Sequence, residues 1–412
     1  MRSNYKNIGD FIRLVDERNT GHKVKNLLGL SISKEFISSV ANLIGTDMES
    51  YKIIRIKQFA CSLMQVRRDK KMPVALLQDI NEAIISQAYP VFEIIDTTLL
   101  LPEYLMMWFS RQEFDREACF YAIGGVRGSL EWEDFCNMKL PVPSVEKQKE
   151  IVKEYNVIIN HIALNNQLIQ KLEETAQAIY KQWFIDYEFP DENGNPYKSN
   201  GGAMFESEFG EIPNSWEICS IKGICSKIGS GATPNGGKTN YHKSGISLIR
   251  SLNVHDFVFS VDDLAFINEK QAKNLDIVRV EENDVLLNIT GVSVARCCKV
   301  PSFILPARVN QHVMIIRSKT ELFLSDFLLC TLCYSESKSK LLGVSQSGST
   351  REALTKTEIE DFLIVKPDIN TAKIFDQKIN VIIKNIERNI LLNITLTELR
   401  DVLLSKIAIL KN

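Results

Sequence analysis

The sequence lacks the features that define several protein classes. Its 412 residues contain no apolar run near the roughly 18 residues that a membrane span needs, and the richest stretch, residues 99–109, is broken by Pro102 and Glu103. The first ten residues are polar and contain no signal-peptide core, so we expect a cytoplasmic protein. Lys and Arg (49) nearly balance Asp and Glu (51). This balance excludes a uniformly basic nucleic-acid tail but allows a local basic groove.

Signatures of metal, redox and nucleotide chemistry are also sparse. The nine cysteines are too few and too scattered for a disulfide framework, and the pair Cys330 and Cys333 has no second pair at zinc spacing. The five histidines lie far apart in the sequence. Residues 232–239 loosely match a phosphate loop, but the residues that follow do not favour the helix that such a loop opens. We therefore predict no catalytic residue and no metal site in this chain.

The clearest internal pattern is a repeat. The segment Asn-Val-Ile-Ile that begins at Asn156 recurs at Asn380, an offset of 224 residues, and the same offset aligns Pro143 with Pro367. Each proline precedes about 40 residues in which apolar side chains recur alternately four and three apart, as in the seam of a coiled coil. Such a helix cannot bury its apolar stripe alone. We predict that the two copies pack against each other in antiparallel orientation.

Both copies carry an asparagine at the same seam position, Asn165 and Asn389. A polar residue in a seam lowers stability but fixes the register of the helices, and we predict this role for both. The alternative is that one or both face solvent at the edge of the stripe.

The repeat divides the chain into alternating globular and helical parts. We predict an α+β protein with two globular domains, two long antiparallel coiled-coil helices and a pseudo-two-fold internal repeat. The domains are residues 1–142 and 211–366, the long helices are residues 143–189 and 367–412, and residues 190–213 form a linker rich in Gly, Pro and Asn. Strands are expected at residues 51–56, 83–89, 91–95, 247–249, 284–289 and 313–316, and shorter helices at 102–114 and 324–335.

Polar and basic loops in the two globular parts are candidate DNA contacts. Arg and Lys can neutralise phosphates or grip guanine, and Gln can read adenine. The candidates in the first part are Gln58, Gln65, Arg67, Arg68, Lys70 and Arg127. Those in the second part are Ser230, Thr233, Lys238, Arg250, Arg296, Gln346 and Arg351.

Several segments carry a resemblance to a known family. Residues 140–184, with a proline-rich start followed by Glu146 and Gln148, resemble the central conserved helix of the specificity (S) subunit of type I restriction-modification systems. Residues 211–217 and 346–351 resemble the opening and the late loop of that family's target recognition domain. The first domain departs from the pattern because it opens at Tyr5 without the usual Pro-x-x-Trp, and the second helix has Asn370 and Ala372 in place of the Glu and Gln.

The resemblance implies a function without catalysis. Each globular domain would bind one part of a split sequence in double-stranded DNA, and the helices would set the distance between the two parts. Two modification subunits would supply S-adenosylmethionine and methylate adenine, and restriction subunits would bring ATP and Mg. This chain would itself bind no cofactor.

A second interpretation from the residues alone is a coiled-coil assembly or scaffold protein whose globular domains bind other proteins. Salt-sensitive and sequence-dependent binding to duplex DNA distinguishes the two interpretations.

Overall fold

The computed structural model describes residues 5–39, 47–124, 128–234, 241–346 and 352–409. The chain forms two compact units: unit 1 contains Met1–Ala163 and Ile394–Asn412, and unit 2 contains Leu164–Asn393. Within the described ranges, no helix has the length and apolar character to cross a membrane.

In the described part of unit 1, ten strands form three sheets. In chain order they are β1 (Tyr5–Asn7), β2 (Ile12–Val15), β3 (Leu27–Leu30), β4 (Phe36–Ser38), β5 (Lys52–Arg55), β6 (Phe59–Cys61), β7 (Val74–Leu76), β8 (Glu82–Ile85), β9 (Val91–Ile94) and β10 (Lys139–Pro141). The sheet orders are β4-β3-β8-β5, β2-β9-β6-β7 and β1-β10, and β3 runs parallel to β8. Strands β5, β8 and β9 confirm the strands expected at residues 51–56, 83–89 and 91–95.

Four short helices pack on these strands: α1 (Val66–Asp69), α2 (Pro102–Phe109), α3 (Gln112–Tyr121) and α4 (Trp132–Asn137). The single helix expected at residues 102–114 is divided because Arg111 is extended, with its guanidinium 4.1 Å from the ring of Trp108. An aromatic core joins the helices to the sheet, and the rings of Phe59 and Phe92 stack at 4.9 Å. Buried aromatic pairs of this kind add specific ring contacts to the area they remove from water.

Unit 2 contains the second part of the long helix α5 (Val145–Tyr180), which begins in unit 1, and the π-helical turn Lys181–Ile185 that comes after this helix. Its strands are β11 (Met204–Ser207), β12 (Gly210–Pro213), β13 (Glu217–Ser220), β14 (Cys225–Ser230), β15 (Ile246–Ile249), β16 (Ala265–Ile267), β17 (Arg279–Val280), β18 (Val285–Asn288), β19 (Cys297–Lys299), β20 (Ala307–Val309), β21 (Val313–Ser318) and β22 (Leu363–Lys366). Its further helices are α6 (Ile221–Ile224), α7 (Glu269–Asn274), α8 (Ser325–Cys333), α9 (Ser335–Gln346), α10 (Lys356–Glu360) and the first part of α11 (Ile369–Ile407), which belongs to unit 1 from Ile394 onward.

The sheets of unit 2 have the same strand order as those of unit 1. The orders are β16-β15-β20-β17, β14-β21-β18-β19 and β13-β22, and the parallel pair is β15 and β20. Strands β15, β18 and β21 confirm those expected at residues 247–249, 284–289 and 313–316, and α8 confirms the helix expected at 324–335. Residues 190–213, predicted as a linker, contain the β11–β12 hairpin, and Tyr197 stacks on Phe189 at 4.6 Å.

The two long helices contact each other within each unit in antiparallel order. In unit 1, Ile151 near the start of α5 shares a core with Leu404 and Ile407 near the end of α11. In unit 2, the ring of Tyr180 at the end of α5 lies 6.4 Å from that of Phe375 near the start of α11. The antiparallel orientation therefore holds in both units.

Asn165 lies in the buried seam as predicted, whereas Asn389 lies at its edge, as the alternative interpretation expected. Asn165 is buried and its amide donates to Asn393 at 2.9 Å, whereas Asn389 donates to the carbonyl of Asn385 on its own helix. The buried stripe of α11 contains Ile383 and Ile390 instead of residue 389. The reason lies in unit 2, where α11 also packs against residues 300–302: Glu387 accepts bonds from the amide and the hydroxyl of Ser302, which widens the buried face beyond a two-helix seam.

The two long helices begin with different polar side chains. At the start of α5 the buried amide of Gln148 accepts from Leu101 N at 2.8 Å and donates to the carbonyls of Leu99 and Pro143. In α11 the equivalent position is Ala372, which has no polar side chain, and Asp368 caps the start of the helix instead. Its carboxylate accepts from the amides of Asn370 and Thr371 at 3.0 Å each, which satisfies N–H groups that the helix leaves free.

Candidate nucleic-acid interface

The loop between β6 and β7 carries most of the basic candidates of unit 1. It contains α1, and the backbone is left-handed at both ends of this helix, with φ 64° at Gln65 and 53° at Lys70. Val66 is fully buried and anchors the helix, whereas Arg67, Arg68 and Lys70 are exposed. The sequence thus places three cationic side chains on a short, tightly turned loop.

A second segment holds this loop in place. The amide of Arg67 donates to the carbonyl of Gly128 at 3.3 Å, and its guanidinium donates to the carbonyl of Gly124 at 3.1 Å. A Cβ on Gly128 would lie 2.9 Å from Cβ of Arg67, so only glycine allows this close approach. The segment around Gly128 therefore holds the basic loop in place through these contacts.

The cations on the loop are not equivalent. The guanidinium of Arg68 lies 2.6 Å from the carboxylate of Asp69 and holds the pKa of Asp69 below its ordinary value. Within the described residues, neither Arg67 nor Lys70 forms an ion pair. Their charges are therefore better placed than that of Arg68 to attract phosphate.

Exposed apolar side chains lie beside the basic loop. Phe120 and Ile123, at the end of α3 and just after it, are 83% and 70% exposed, and the ring of Phe120 lies 5.5 Å from that of Tyr121. The amide and carbonyl of Ile123 bond to Ser129, next to the glycine that supports Arg67. The aromatic pair at a helix end was a signal in the sequence that reasoning from polar residues missed.

Gln58 does not belong to this surface. It is 7% exposed, its amide oxygen accepts from Arg55 N at 2.8 Å, and its amide nitrogen donates to Glu93 at 2.8 Å. The first bond closes the turn before β6 and the second joins the side chain to β9, and this burial corrects the expectation that Gln58 contacts DNA.

Unit 2 has an equivalent loop between β18 and β19. It begins at Thr290 and contains a short 3-10 turn, Gly291–Ser293. The amide of Gly291 donates to the carbonyl of Glu352 at 3.0 Å, and that of Leu354 donates to the carbonyl of Ile289 at 2.8 Å. The segment after α9 therefore supports this loop as the segment after α3 supports the loop of unit 1.

Four side chains from three loops of unit 2 form a continuous hydrogen-bonded chain. The hydroxyl of Thr233 bonds to Oε1 of Gln311, and Nε2 of Gln311 lies 3.1 Å from Nε2 of His312. Nδ1 of His312 lies 2.6 Å from Oγ1 of Thr290. We call these four residues the amide relay. Thr233 was predicted, whereas Gln311 and His312 were missed, although the polar triplet Asn310-Gln311-His312 between two apolar strands was a signal.

The remaining candidates of unit 2 have mixed positions. Ser230 and Gln346 are exposed, and Gln346 donates to Glu352 at 3.3 Å. Arg296 is half-buried, with its guanidinium 3.4 Å from Nδ1 of His255. Arg250 is not free to reach outward, because its guanidinium bonds to the carbonyl of Asp263 and lies 5.6 Å from a tyrosine ring. Three candidates lie outside the described residues: Arg127, Lys238 and Arg351.

Neither unit offers a metal centre in its described part. Within those ranges, no three His, Cys, Asp or Glu side chains lie close enough together to hold a metal ion. Cys330 is buried in α8, and the thiol of Cys333 donates to the carbonyl of Cys297 at 3.3 Å. The chemistry of both loops is that of hydrogen bonding and charge.

Comparisons with known proteins agree with this geometry. The family model described as "Type I restriction modification DNA specificity domain" matches residues 72–174 and 213–399. The MjaIX specificity subunit of Methanocaldococcus jannaschii is 25% identical over 75% of this chain and 68% of its own length. The HindI specificity subunit of Haemophilus influenzae is 20% identical over 80% and 81%.

A solved structure supports the fold. The S subunit of a type I restriction-modification system from M. genitalium aligns with a TM-score of 0.54 and 13% identity, covering 98% of this chain and 95% of the other. The two matched regions together extend over more than half of the sequence. The chain therefore belongs to the type I restriction-modification DNA specificity family.

Proposed function

We propose that this specificity subunit reads a two-part target in duplex DNA, one part with each strand-rich segment, residues 1–142 and 211–366. One observation carries the proposal: both segments have the same strand order and present an equivalently supported loop. Two copies of one recognition scaffold in a single chain suit two separate half-sites. The chain supplies recognition and no catalysis.

The helices, residues 143–189 and 367–412, act as the spacer between the half-sites. The long helices α5 and α11 run antiparallel in each unit, which suits a coiled coil and a pseudo-two-fold repeat of the whole chain. In unit 2 the buried Asn165 donates to the half-buried Asn393, and this polar contact across the seam favours one register of the two helices. The length of this helical pair then sets the number of unread bases.

The helices also dock the partner subunits. In unit 1, Val157, Leu399 and Val402 are half or more exposed around a groove of about 550 Å³ between α5 and α11. Exposed apolar side chains on a helix pair are suited to packing by further helices. Two modification subunits bind the long helices and the segments beside them and bring S-adenosylmethionine, and restriction subunits bring ATP and Mg to the complex.

Methylation sequencing of the native genome tests the recognition role. With the gene intact, we expect one adenine-methylation motif made of two defined parts and an undefined gap, and deletion of the gene removes that motif alone. A motif that persists after deletion contradicts the proposal, and so does a motif that is continuous.

Lengthening both helices tests the spacer. Seven residues inserted into α5 and seven into the paired region of α11 preserve the apolar period and add about 10 Å. This is the length of about three base pairs, so the gap in the motif should lengthen by about three while both parts stay the same. Matched substitutions of seven exposed residues, without a change in length, serve as the control. An unchanged gap after insertion contradicts the spacer role.

A further inference from the structure

We propose that Gln311 reads an adenine in the major groove of the half-site bound by unit 2, and that the other residues of the amide relay orient its side chain. The inference rests on the proposed function and names one base contact within it. Neither the repeat nor the family comparison assigns a role to this residue.

The backbone beneath Gln311 is rigid. The turn between β20 and β21 is held by Asn310, which is 6% exposed: its carboxamide oxygen accepts from His312 N at 3.1 Å, and its backbone N–H donates to the carbonyl of Ile249 at 3.0 Å. The chain after β14 lies directly against this turn, because a Cβ on Gly231 would lie 1.8 Å from the carbonyl oxygen of Val309. A side chain on this turn therefore starts from a fixed position.

The relay also fixes the amide plane of Gln311. With His312 protonated on Nδ1, every contact pairs a donor with an acceptor: Thr233 donates to Gln311, Gln311 donates to His312, and His312 donates to Thr290. Reversing the amide and the histidine tautomer reverses every bond and keeps the chain complete. In both cases the amide is oriented before any ligand arrives, so binding costs little side-chain entropy.

The unused hydrogen-bonding capacity of Gln311 matches one base. An amide side chain has two lone pairs on oxygen and two N–H groups, and among the described residues the relay uses one of each kind of position. One acceptor and one donor remain on an exposed side chain. Adenine presents the complement in the major groove, the N6 amino donor beside the N7 acceptor, whereas guanine presents two acceptors.

Exposure argues against a purely internal brace. Gln58 in unit 1 shows what an internal glutamine looks like in this fold, since it is buried and both of its amide atoms bond to protein. Gln311 instead lies at the surface, where water would satisfy its amide without any relay. Its fixed orientation therefore has a use only when something binds.

The test compares Gln311→Ala with Gln87→Ala. Gln87 is exposed in the turn between β8 and β9 of unit 1, the counterpart of the turn that holds Gln311. Each full-length variant, expressed with its modification partner in a strain that lacks the native gene, is examined by methylation sequencing. We expect Gln311→Ala to accept other bases at one A·T pair in one part of the motif, and Gln87→Ala to leave that part unchanged.

If a variant no longer supports methylation, its base preference is measured by direct binding to DNA. Purified wild-type and variant complexes are titrated with duplexes that carry each base substitution at each position of the same half-site. The wild type should discriminate at one adenine by about tenfold or more, and Gln311→Ala should lose that discrimination while the other positions keep theirs. Thr233→Val, which removes the outer anchor of the amide, should lose part of it.

The outcomes separate this inference from the function it rests on. A wild-type protein with no two-part motif overturns the proposed function. A two-part motif that Gln311→Ala leaves intact at every A·T pair overturns the adenine contact alone. Equal relaxation at all positions of the half-site also overturns it, because a single bidentate contact affects one base pair.

Discussion

The equivalent loops of the two units share their support and differ in their chemistry. In unit 1 the amide of Leu130 donates to the carbonyl of Leu63 at 2.9 Å, and in unit 2 the amide of Leu354 donates to that of Ile289 at 2.8 Å. The supported loop is cationic in unit 1 and, apart from Arg296, neutral in unit 2. The buried sheets therefore fix where a loop lies, and its exposed residues are free to change.

The starts of the two long helices show the same division. Gln148 in unit 1 and Asp368 in unit 2 occupy different positions of the repeat, yet each satisfies backbone groups at the start of its own helix. Asp368 also accepts a bond from the indole of Trp216 at 3.2 Å, which ties the helix to the segment before β13. Both helices are therefore capped by a polar side chain, but the capping residue and its position differ between the two copies of the repeat.

The largest effect is expected at these helix starts. Gln148→Ala and Asp368→Ala should each lower the local stability of their own unit by about 2 kcal/mol, because several bonds are lost and buried backbone groups lose partners. Hydrogen exchange followed by mass spectrometry should show faster exchange at β10 for the first variant and at β13 and β22 for the second. Asn370→Ala, at an exposed neighbouring position, is the control. Equal changes in both units for either variant would contradict separate capping.

A smaller effect should separate the chemistry of the two loops. Arg67→Ala and Lys70→Ala should each weaken DNA binding by about tenfold at low salt, for any sequence, and reduce the salt slope by about one. Gln311→Ala should leave the slope unchanged, because its side chain is neutral. Arg13→Ala removes an exposed arginine that already pairs with Glu93 at 2.6 Å, and it should have little effect. If Gln311→Ala reduced the salt slope of DNA binding more than Arg67→Ala or Lys70→Ala does, the proposed chemical difference between the two loops would be wrong.

The smallest effect concerns pH and unit 2 alone. Partial burial, with Asp256 and Glu174 nearby, raises the pKa of Glu173 to about 7. The unfolded chain has the ordinary, lower pKa, so the folded state binds more protons between about pH 4.5 and 7 and loses stability as the pH rises through that window.

Glu173→Gln should therefore stabilise the protein above pH 7, on the order of 1 kcal/mol once solvent screening of this half-exposed carboxyl is included, and have no effect near pH 4.5. Thermal unfolding of both proteins from pH 4.5 to 8.5 measures the difference. Glu192→Gln, which removes an exposed carboxyl elsewhere in unit 2, is the control. A stability gain that is the same at every pH would rule out titration of Glu173.

Local sequence signals predicted much of the fold. Prolines at 143 and 367 and the apolar period that follows them predicted α5 and α11, because a long periodic stripe has few other solutions. Short runs rich in β-branched residues predicted six strands, because these residues favour the extended backbone of a strand. The stripe of α11 was misplaced by one residue around Asn389, because its packing on residues 300–302 is a tertiary contact with no local signature.

The recognition surface was less predictable. The relay residues Thr233, Thr290 and Gln311 are far apart in the chain, and they meet only because β14, β18 and β21 are neighbours in one sheet. Gln58 and Arg250 look like surface residues in the sequence, but a turn buries the first and a carbonyl holds the second. Residue type indicated possible chemistry, and topology decided which side chains are free.

The small two-stranded sheets have a consequence for the exchange of segments. Strand β1 pairs with β10 through Tyr5 and Pro141, and β13 pairs with β22 through Glu217 and Lys366, so the chain enters and leaves each strand-rich segment at adjacent points. Under the proposed function, a segment exchanged between these two points would change one part of the DNA target and leave the helix that follows it in place.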